Sequence, residues 1–528
     1  MSHVDAVLGR LTTYRVVTVG LLAVLVAAFV LALTGSVAVD PWALPVGAVV
    51  AVAATWAVSA VGARVVGRAA HVESSVVTGL ILTLLMWPST DPAALVTLAG
   101  AGALAGASKY LVVVRGRHVL NPAAVGVLVA GLVAWPLLGV PGAAWWVATP
   151  SLLPVVALAG LAVVLRTRHV APVVAYLLTG LAVVVPDLVA GGYAPGEALL
   201  TAVGSYPLLF AGTIMLTEPS TLPPRRGQRV VVGVVVALLT VLPLSLGPLH
   251  ASPELALLAG NVLAFACGQR RGVRLVVAGS RALPAGVHEV TFRPSRPLRV
   301  APGQWVELHV PHRADGRGVR RTFSAIPGPG GEVAFAYRVP AAPSSLKRTL
   351  TALPTGAVVD VAAVGGDLLL PRSRELPVLL VAAGVGVTPF VGMAEQAVRE
   401  GRDAVLVLLH AAPDAPPPYL DRIAATGVRT LVVGPVPVWD LPPGWHHLGA
   451  GLVGADLAAA VPDAARRRAY VSGSPQAVAD AVRELRTVGV RRVRRDPFVG
   501  YTPPRAGRAS ARPAAGDGQA EVTTSATL

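Results

Sequence analysis

The residues of this 528-residue chain whose types and spacing suit chemistry lie mainly in its second half. There Ala383-Gly384-Val385-Gly386-Val387-Thr388-Pro389 follows the apolar run Pro377 to Ala382 and leads into a helical pattern from Phe390. Glycines at a strand end let a dinucleotide approach the backbone, and a helix N-terminus there favours its pyrophosphate. A lone Gly-x-Gly is more often a plain turn. Here it stands in an ordered series: Arg321-Thr322-Phe323-Ser324, Ser344-Ser345-Leu346, Gly365-Gly366, Ala383 to Pro389, Ser472-Gly473-Ser474-Pro475 and Asp496-Pro497-Phe498.

The elements that must position these residues are of two kinds. Residues 275 to 371 carry short alternating strands, among them 287 to 292, 304 to 310 and 332 to 339, as an antiparallel barrel requires. Residues 377 to 498 alternate strand and helix, with strands at 377 to 382, 405 to 409 and 470 to 472 and a helix at 475 to 488. Pro and Gly punctuate both regions.

The ordered motifs resemble those of the ferredoxin:NADP reductase superfamily over about residues 275 to 501. The resemblance implies FAD and a pyridine nucleotide as cofactors. It makes Arg321 the partner of the FAD pyrophosphate, with Thr322 in the same motif. Phe323 packs on the flavin where the family usually has Tyr, and Ser324 bonds near flavin N5. Ser344 and Ser345 cradle FAD phosphate, and Gly384, Gly386, Thr388 and Pro389 form the nicotinamide-side turn. Gly473 and Pro475 belong to a segment where the family commonly has Cys-Gly-x-Pro, so Ser472 puts a hydroxyl where a thiol often lies beside the nicotinamide. Ser324 and Ser472 are thus the candidate catalytic residues, and Phe498 matches the near-terminal aromatic position. Read without the family, Phe498 is a core aromatic closing the last strand and Arg321 a solvated cation. No arginine follows the second strand, where His410-Ala411-Ala412-Pro413 stands, yet Arg466-Arg467-Arg468 is within the same domain. NADH and NADPH both stay open.

The first half differs in kind. Hydrophobic residues make up 54% of the chain and charged ones 14%, with a mean hydropathy of +0.65, which excludes a wholly soluble or disordered protein. Apolar stretches recur at about 16 to 34, 42 to 61, 75 to 87, 93 to 114, 122 to 138, 150 to 165, 172 to 186, 199 to 216, 230 to 246 and 254 to 267. They predict about ten spans, the shorter ones broken, tilted or re-entrant. The first lacks the small-residue cleavage pattern of a signal peptide and is expected to stay as a helix. With an inside N-terminus, the inside segments hold Arg10, Arg15, Arg64, Arg68, Lys109, Arg115, Arg117, Arg166, Arg168, Arg225, Arg226, Arg229, Arg270, Arg271 and Arg274, and the outside loops hold no Lys or Arg. This bias places both termini and the second half in the cytoplasm, at the plasma membrane. It also accounts for much of the net charge of +16 without nucleic acid as a partner.

An internal echo is visible: Pro88-Ser89-Thr90 recurs as Pro219-Ser220-Thr221, and Asn121-Pro122 answers Ser252-Pro253 at the same offset. A repeat of five spans is odd and must invert, and such inverted repeats place half-helix ends near mid-membrane. Thr78-Gly79-Leu80, Trp87 to Pro92, Asn121 to Ala124, Ala148-Thr149-Pro150 and Thr217 to Thr221 together resemble the membrane flavin subunits of two systems, the Rnf electron-transport complexes and the sodium-pumping NADH:quinone reductase. In that family a threonine carries FMN through a phosphoester bond, and Thr149 is the matching position. The acidic residue and glycine that precede it there are replaced by Ala143-Ala144-Trp145-Trp146-Val147. Read alone, Thr149 is a helix N-cap before Pro150, and Trp145 and Trp146 are interfacial anchors.

One cysteine, Cys267, excludes a disulfide and a cysteine-ligated cluster within the chain, and no metal site is expected. His71, His118 and His169 lie beside arginines at span ends and His250 in an outer loop, so paired haem ligands do not arise. Asp91, Glu73 and Glu218 are the acidic residues near short-span ends. The expected chain is multi-domain: an α-helical polytopic membrane domain at 1–274, an FAD-binding β-barrel at 275–375, an NAD(P)-binding α/β domain at 376–501 and a disordered tail at 502–528. The expected function is electron transfer from cytoplasmic NAD(P)H through FAD into the membrane half, and on to quinone or an extracytoplasmic acceptor protein. The competing reading is an ion-translocating or transport protein with a regulatory redox domain.

Overall fold

The computed structural model describes residues 11–66, 72–114, 117–218, 221–246, 249–267, 273–313, 315 and 319–498. Arg10, Arg68, His71, Arg115, Pro219, Ser220, Arg270, Arg271 and the expected tail at 502–528 lie outside them.

Among the described residues from 11 to 267, the regular elements are helices and two short hairpins. The helices are α1 (Thr13–Leu33), α2 (Ala43–Val65), α3 (Val72–Leu85), α4 (Pro92–Leu111), α5 (Pro122–Leu138), α6 (Leu153–Thr167), α7 (Val170–Ala190), α8 (Pro195–Gly204), α9 (Leu208–Met215), α10 (Arg226–Val241) and α11 (Pro253–Ala266). Several begin where a capping side chain precedes proline, whose missing N–H costs nothing in a first turn. Asp91 accepts from Ala93 and Ala94 ahead of Pro92, Asn121 from Ala124 ahead of Pro122, and Ser252 from Leu255 ahead of Pro253.

Each expected apolar segment falls on a helix, but not each is a full span. Among the described residues, five helical stretches are long and apolar enough to cross a bilayer: Thr13–Leu33, Ala43–Val65, Pro92–Leu111, Pro150–Thr167 and Val170–Ala190. The segment expected at 199 to 216 is not one helix. It is the pair α8 and α9, bent by 53°, with Pro207 in the break and a π-turn over Ala211–Met215. Helices α3, α5 and α11 are 14, 17 and 14 residues long.

The echo in the sequence has a counterpart in the packing. A hairpin, Val113–Val114 with Arg117–His118, precedes α5, and a second, Ser245–Leu246 with Leu249–His250, precedes α11. Helix α2 packs on α4 and α4 on α5, while α7 packs on α10 and α10 on α11. Across the two sets, α1 meets α6 and α5 meets α11.

From Val273 the chain forms two sheets. The first holds β1 (Val273–Leu283), β2 (Val287–Pro294), β3 (Trp305–His309), β4 (Arg320–Ser324), β5 (Ile326–Pro327), β6 (Val333–Arg338) and β7 (Val358–Gly365), in the antiparallel order β4-β3-β7-β1-β2-β6-β5. Its edge strands β4 and β5 are separated only by Ala325, so the sheet curls toward itself; no ladder joins those edges among the described residues. Helix α12 (Ser345–Thr351) precedes β7.

The second sheet is parallel. It contains β8 (Val378–Ala383), β9 (Ala404–Leu409), β10 (Arg429–Val433), β11 (Trp445–Gly449), β12 (Arg468–Gly473) and β13 (Val493–Pro497), in the order β11-β10-β9-β8-β12-β13. Helices α13 (Thr388–Arg399), α14 (Leu420–Ala424), α15 (Gly454–Ala460) and α16 (Pro475–Thr487) connect them. The central strands are buried on both sides, as parallel strands between helices must be: Val378, Leu379, Leu380 and Val381 are all inaccessible.

Candidate functional site

The order β11-β10-β9-β8-β12-β13 reverses direction at β8, and the crevice beyond the C-terminal ends of β8 and β12 is where ligands sit in such sheets. The first sheet closes that crevice from the other side. A cavity of about 1260 Å³ lies between them, larger than the roughly 300–1,000 Å³ that suits one drug-sized ligand.

Strand β4 supplies one wall. Its register against β3 sets Ser324 opposite Trp305 and Phe323 opposite Val306, and Arg321, Thr322, Phe323 and Ser324 all line the cavity. Arg321 Nη1 donates to the Arg320 carbonyl at 2.5 Å. Phe323 is mostly a core ring, with Tyr337 at 5.6 Å and Phe335 at 6.2 Å between ring centres. Tyr337 lines the cavity beside it, an aromatic that its strand-interior position in the sequence did not single out. Burial pushes the Tyr337 hydroxyl up to about 12, and its bond to Thr351 acts the other way, so it remains a hydrogen-bonding phenol at neutral pH.

Ser344 lines the cavity and caps α12 through Lys347. Ser345 points to other work: its Oγ accepts from the Asp315 amide at 2.9 Å and lies 3.0 Å from His312 Nε2, while its own amide donates to Asp315. It is not among the lining residues.

The turn after β8 has the conformation that its glycines permit. Gly384 has φ +55°, a region open to glycine at little cost. At Gly386 a Cβ would lie 2.6 Å from Gly473 Cα, so only hydrogen fits where the two loops approach. Gly384 and Thr388 line the cavity, with Thr388 Oγ1 donating to the Val385 carbonyl. Gly386 and Pro389 lie behind them, buried.

Ser472 ends β12 in register with Ala382 on one side and Asp496 on the other. It is fully buried, and its Oγ has no hydrogen-bond partner among the described residues. A buried hydroxyl left unpaired costs about 1–3 kcal/mol. Ser472, Gly473 and Pro475 are not among the residues lining the cavity, whereas Ser474 is. Phe498 also lines the cavity, its amide bonded to the Gly473 carbonyl at 2.7 Å. Asp496, quoted in its motif but given no role from sequence, lines it too; burial pushes its carboxyl up to about 6, with Arg168 opposing.

Thr149 is elsewhere, in the helical half before the turn Pro150–Leu152, and its side chain makes no capping hydrogen bond. The two tryptophans before it depart from the anchor reading. Trp145 and Trp146 are buried, donating to Glu254 Oε2 at 2.9 Å and to the Thr83 carbonyl at 3.0 Å. Their indole N–H groups find partners inside the protein, which lipid-facing rings would not.

The remaining polar candidates of that half are spoken for. Asp91 caps α4 and Glu73 pairs with Arg15 at 3.4 Å. Glu218 meets His118 at 3.2 Å and Asn121 at 2.9 Å. His169 lies against the Thr217 carbonyl and His250 against Ser245. No group of three or more metal-ligating side chains occurs among the described residues.

No protein-family model matches the chain. It is similar to the ferredoxin reductase component of 3-ketosteroid-9-alpha-monooxygenase from Mycobacterium tuberculosis, at 32% identity over 135 residues, 24% of this chain and 35% of that protein. It is also similar to a flavohemoprotein from Oceanobacillus iheyensis, at 25% identity over 119 residues, 21% of this chain and 29% of that one. The chain thus spans about a third of the length of the curated relatives it matches. Among solved structures, the cytochrome P450 reductase from Amycolatopsis aligns over 44% of this chain and 70% of its own, at 25% identity and TM-score 0.35. The flavohem-like FAD/NAD-binding domain of nitric oxide dioxygenase from Vibrio cholerae aligns over 43% and 98%, at 21% identity and TM-score 0.35. The chain therefore carries a stretch of 135 residues similar to the ferredoxin reductase component of a monooxygenase.

Proposed function

We propose that the chain is a membrane-bound flavoprotein oxidoreductase that takes electrons from NADH or NADPH at the cytoplasmic face and passes them into its helical half. The observation that carries this reading is the convergence of four separated segments on one cavity between an antiparallel and a parallel sheet: Arg321 to Ser324; Gly384, Val385 and Thr388; Ser474; and Phe498.

FAD bound there supplies acceptance of two electrons together and their release one at a time. Arg321 would hold its pyrophosphate by charge-assisted hydrogen bonds, with Ser344 at the start of α12 adding a polar contact. Ser324, on the cavity wall, would hydrogen-bond near the flavin N5, and Ser472, buried against Gly386, would help position the nicotinamide end. The turn at Gly384 and Gly386 lets the dinucleotide backbone come close.

In the same reading residues 1–274 form the membrane domain, with about ten segments, α3, α5 and α11 among the short ones. The domain is of the kind found in the membrane flavin subunits of Rnf complexes and of the sodium-pumping NADH:quinone reductase. The symmetric packing of the two helix sets supports an inverted repeat. Thr149, its hydroxyl unused as a cap, is the candidate for covalent FMN, and quinone or an extracytoplasmic protein is the final acceptor. Both termini are cytoplasmic.

The test is flavin content and NAD(P)H oxidation by the purified chain with an artificial acceptor. Bound FAD and turnover are expected from the wild type, and loss of both from Arg321→Ala. A flavin-free wild-type chain overturns the proposal.

A further inference from the structure

The cavity is charged unevenly along its length. Its lining cations, Arg321, Arg338 and Lys347, all belong to β4, β6 and α12 on the flavin side. Beyond Gly384 the lining crosses the ends of β9 and β10 and reaches α16, where the charged side chains are Asp480 and Glu484. Four residues apart, they share one face of that helix.

Both carboxylates are held in place. Asp480 accepts from Gln476 Nε2 at 2.9 and 3.0 Å and from Arg483 at 3.0 Å; Arg483 is solvent-exposed and does not line the cavity. Glu484 Oε2 accepts the Gly454 amide at 3.1 Å, so the start of α15 already faces a carboxylate rather than offering that donor to another anion. His410, the remaining lining base at this end, has Nε2 against the Ala415 carbonyl at 2.6 Å.

The arginines 466 to 468 do not alter this. Arg468 begins β12 and Ser472 nears its end, about 13 Å apart at 3.3 Å per residue, so the triplet lies at the sheet edge opposite the cavity. Arg467 is moreover bound there by Asp403, at 2.5 and 2.9 Å, and by Asp463 at 2.9 Å.

We infer that Asp480 and Glu484 select a nicotinamide dinucleotide with free ribose hydroxyls, NADH, against one carrying a 2′-phosphate. The inference rests on the function proposed above and adds which nucleotide it uses. With flavin phosphates on the cationic side and the turn at Gly384 holding the pyrophosphate, the adenosine half extends toward α16. Carboxylates accept hydrogen bonds from ribose hydroxyls, whereas a phosphate meets like charge with no lining cation at that end among the described residues.

The experiment is calorimetric titration of the full chain in detergent with ADP-ribose and with 2′-phospho-ADP-ribose, which needs no hydride transfer. ADP-ribose is expected to bind at least about tenfold more tightly, and the Asp480→Asn, Glu484→Gln double variant is expected to narrow that ratio. Equal or tighter binding of the 2′-phosphorylated compound by the wild type overturns the inference and leaves the cavity's assignment standing. Binding of neither compound overturns both, and the wild-type ratio decides the matter if the variant does not fold.

Discussion

At the scale of single residues, Gly386 and Asp496 show how backbone space and burial shape the site. A methyl at Gly386 would press on the Ser472–Gly473 backbone, in packing too dense to yield freely. Gly386→Ala is expected to lower NAD(P)H turnover at least about tenfold while FAD content stays near wild type, since the added methyl meets the Ser472–Gly473 backbone; steady-state kinetics beside flavin absorbance check it. Asp496 has a carboxyl pushed up to about 6 by burial, above its ordinary 3.8. The folded chain therefore holds that proton more tightly than the unfolded chain, so the group's contribution is full below about pH 4 and is lost as pH rises through about 6. Asp496→Asn keeps the neutral form throughout. It is expected to raise the melting temperature at pH 8 and leave it near wild type at pH 4, and an equal change at both pH values would contradict this origin.

At the scale of elements, a buried arginine pins the connection from β7 to β8. Arg402 is buried and donates to the carbonyls of Pro371, Ser373 and Leu376 at 3.0, 2.6 and 3.0 Å and to Glu400 at 2.8 Å. Arg402→Met strands three carbonyls and a carboxylate, and is expected to cost about 3 kcal/mol of stability, read by thermal unfolding with flavin release. Strands and helices here were largely legible in the sequence. The expected strands at 287 to 292, 304 to 310 and 405 to 409 fall on β2, β3 and β9, and the helix at 475 to 488 on α16, because alternation and Pro or Gly punctuation are local properties. The bend between α8 and α9 was not, since an unbroken apolar stretch reads alike whether or not Pro207 turns it. The burial of Trp145 and Trp146 is hidden in the sequence for a related reason: their partners Glu254 and Thr83 are far away in the chain.

At the scale of the molecule, the two halves touch through Asp367, two residues past β7. Its carboxylate accepts the Arg226 amide at the start of α10, at 3.0 and 3.2 Å, and its carbonyl accepts from Arg494. A carboxylate at a helix N-terminus is favourably placed, and Arg168 of the helical half acts on Asp496 from the same side. If the proposed function holds, Asp367→Ala is expected to leave NAD(P)H oxidation with a soluble artificial acceptor intact and to slow electron delivery to the helical half several-fold. Parallel assays with a soluble dye and with membrane-bound acceptor separate the two; equal loss in both would show that Asp367 serves the flavin domain instead.

By itself the sequence determined that one half is apolar, that the other alternates strand and helix, and that a series of glycine, serine and arginine motifs runs through it in order. Those are properties of composition, period and order, which the chain carries before it folds. Only the tertiary structure decided that Ser345 turns to Asp315 while Ser344 faces the cavity, that Phe323 packs in the core beside Tyr337, and that Asp480 and Glu484 stand at the far end from every lining cation. Each of these depends on contacts between residues distant in the chain, and such contacts exist only once the two sheets have closed on each other.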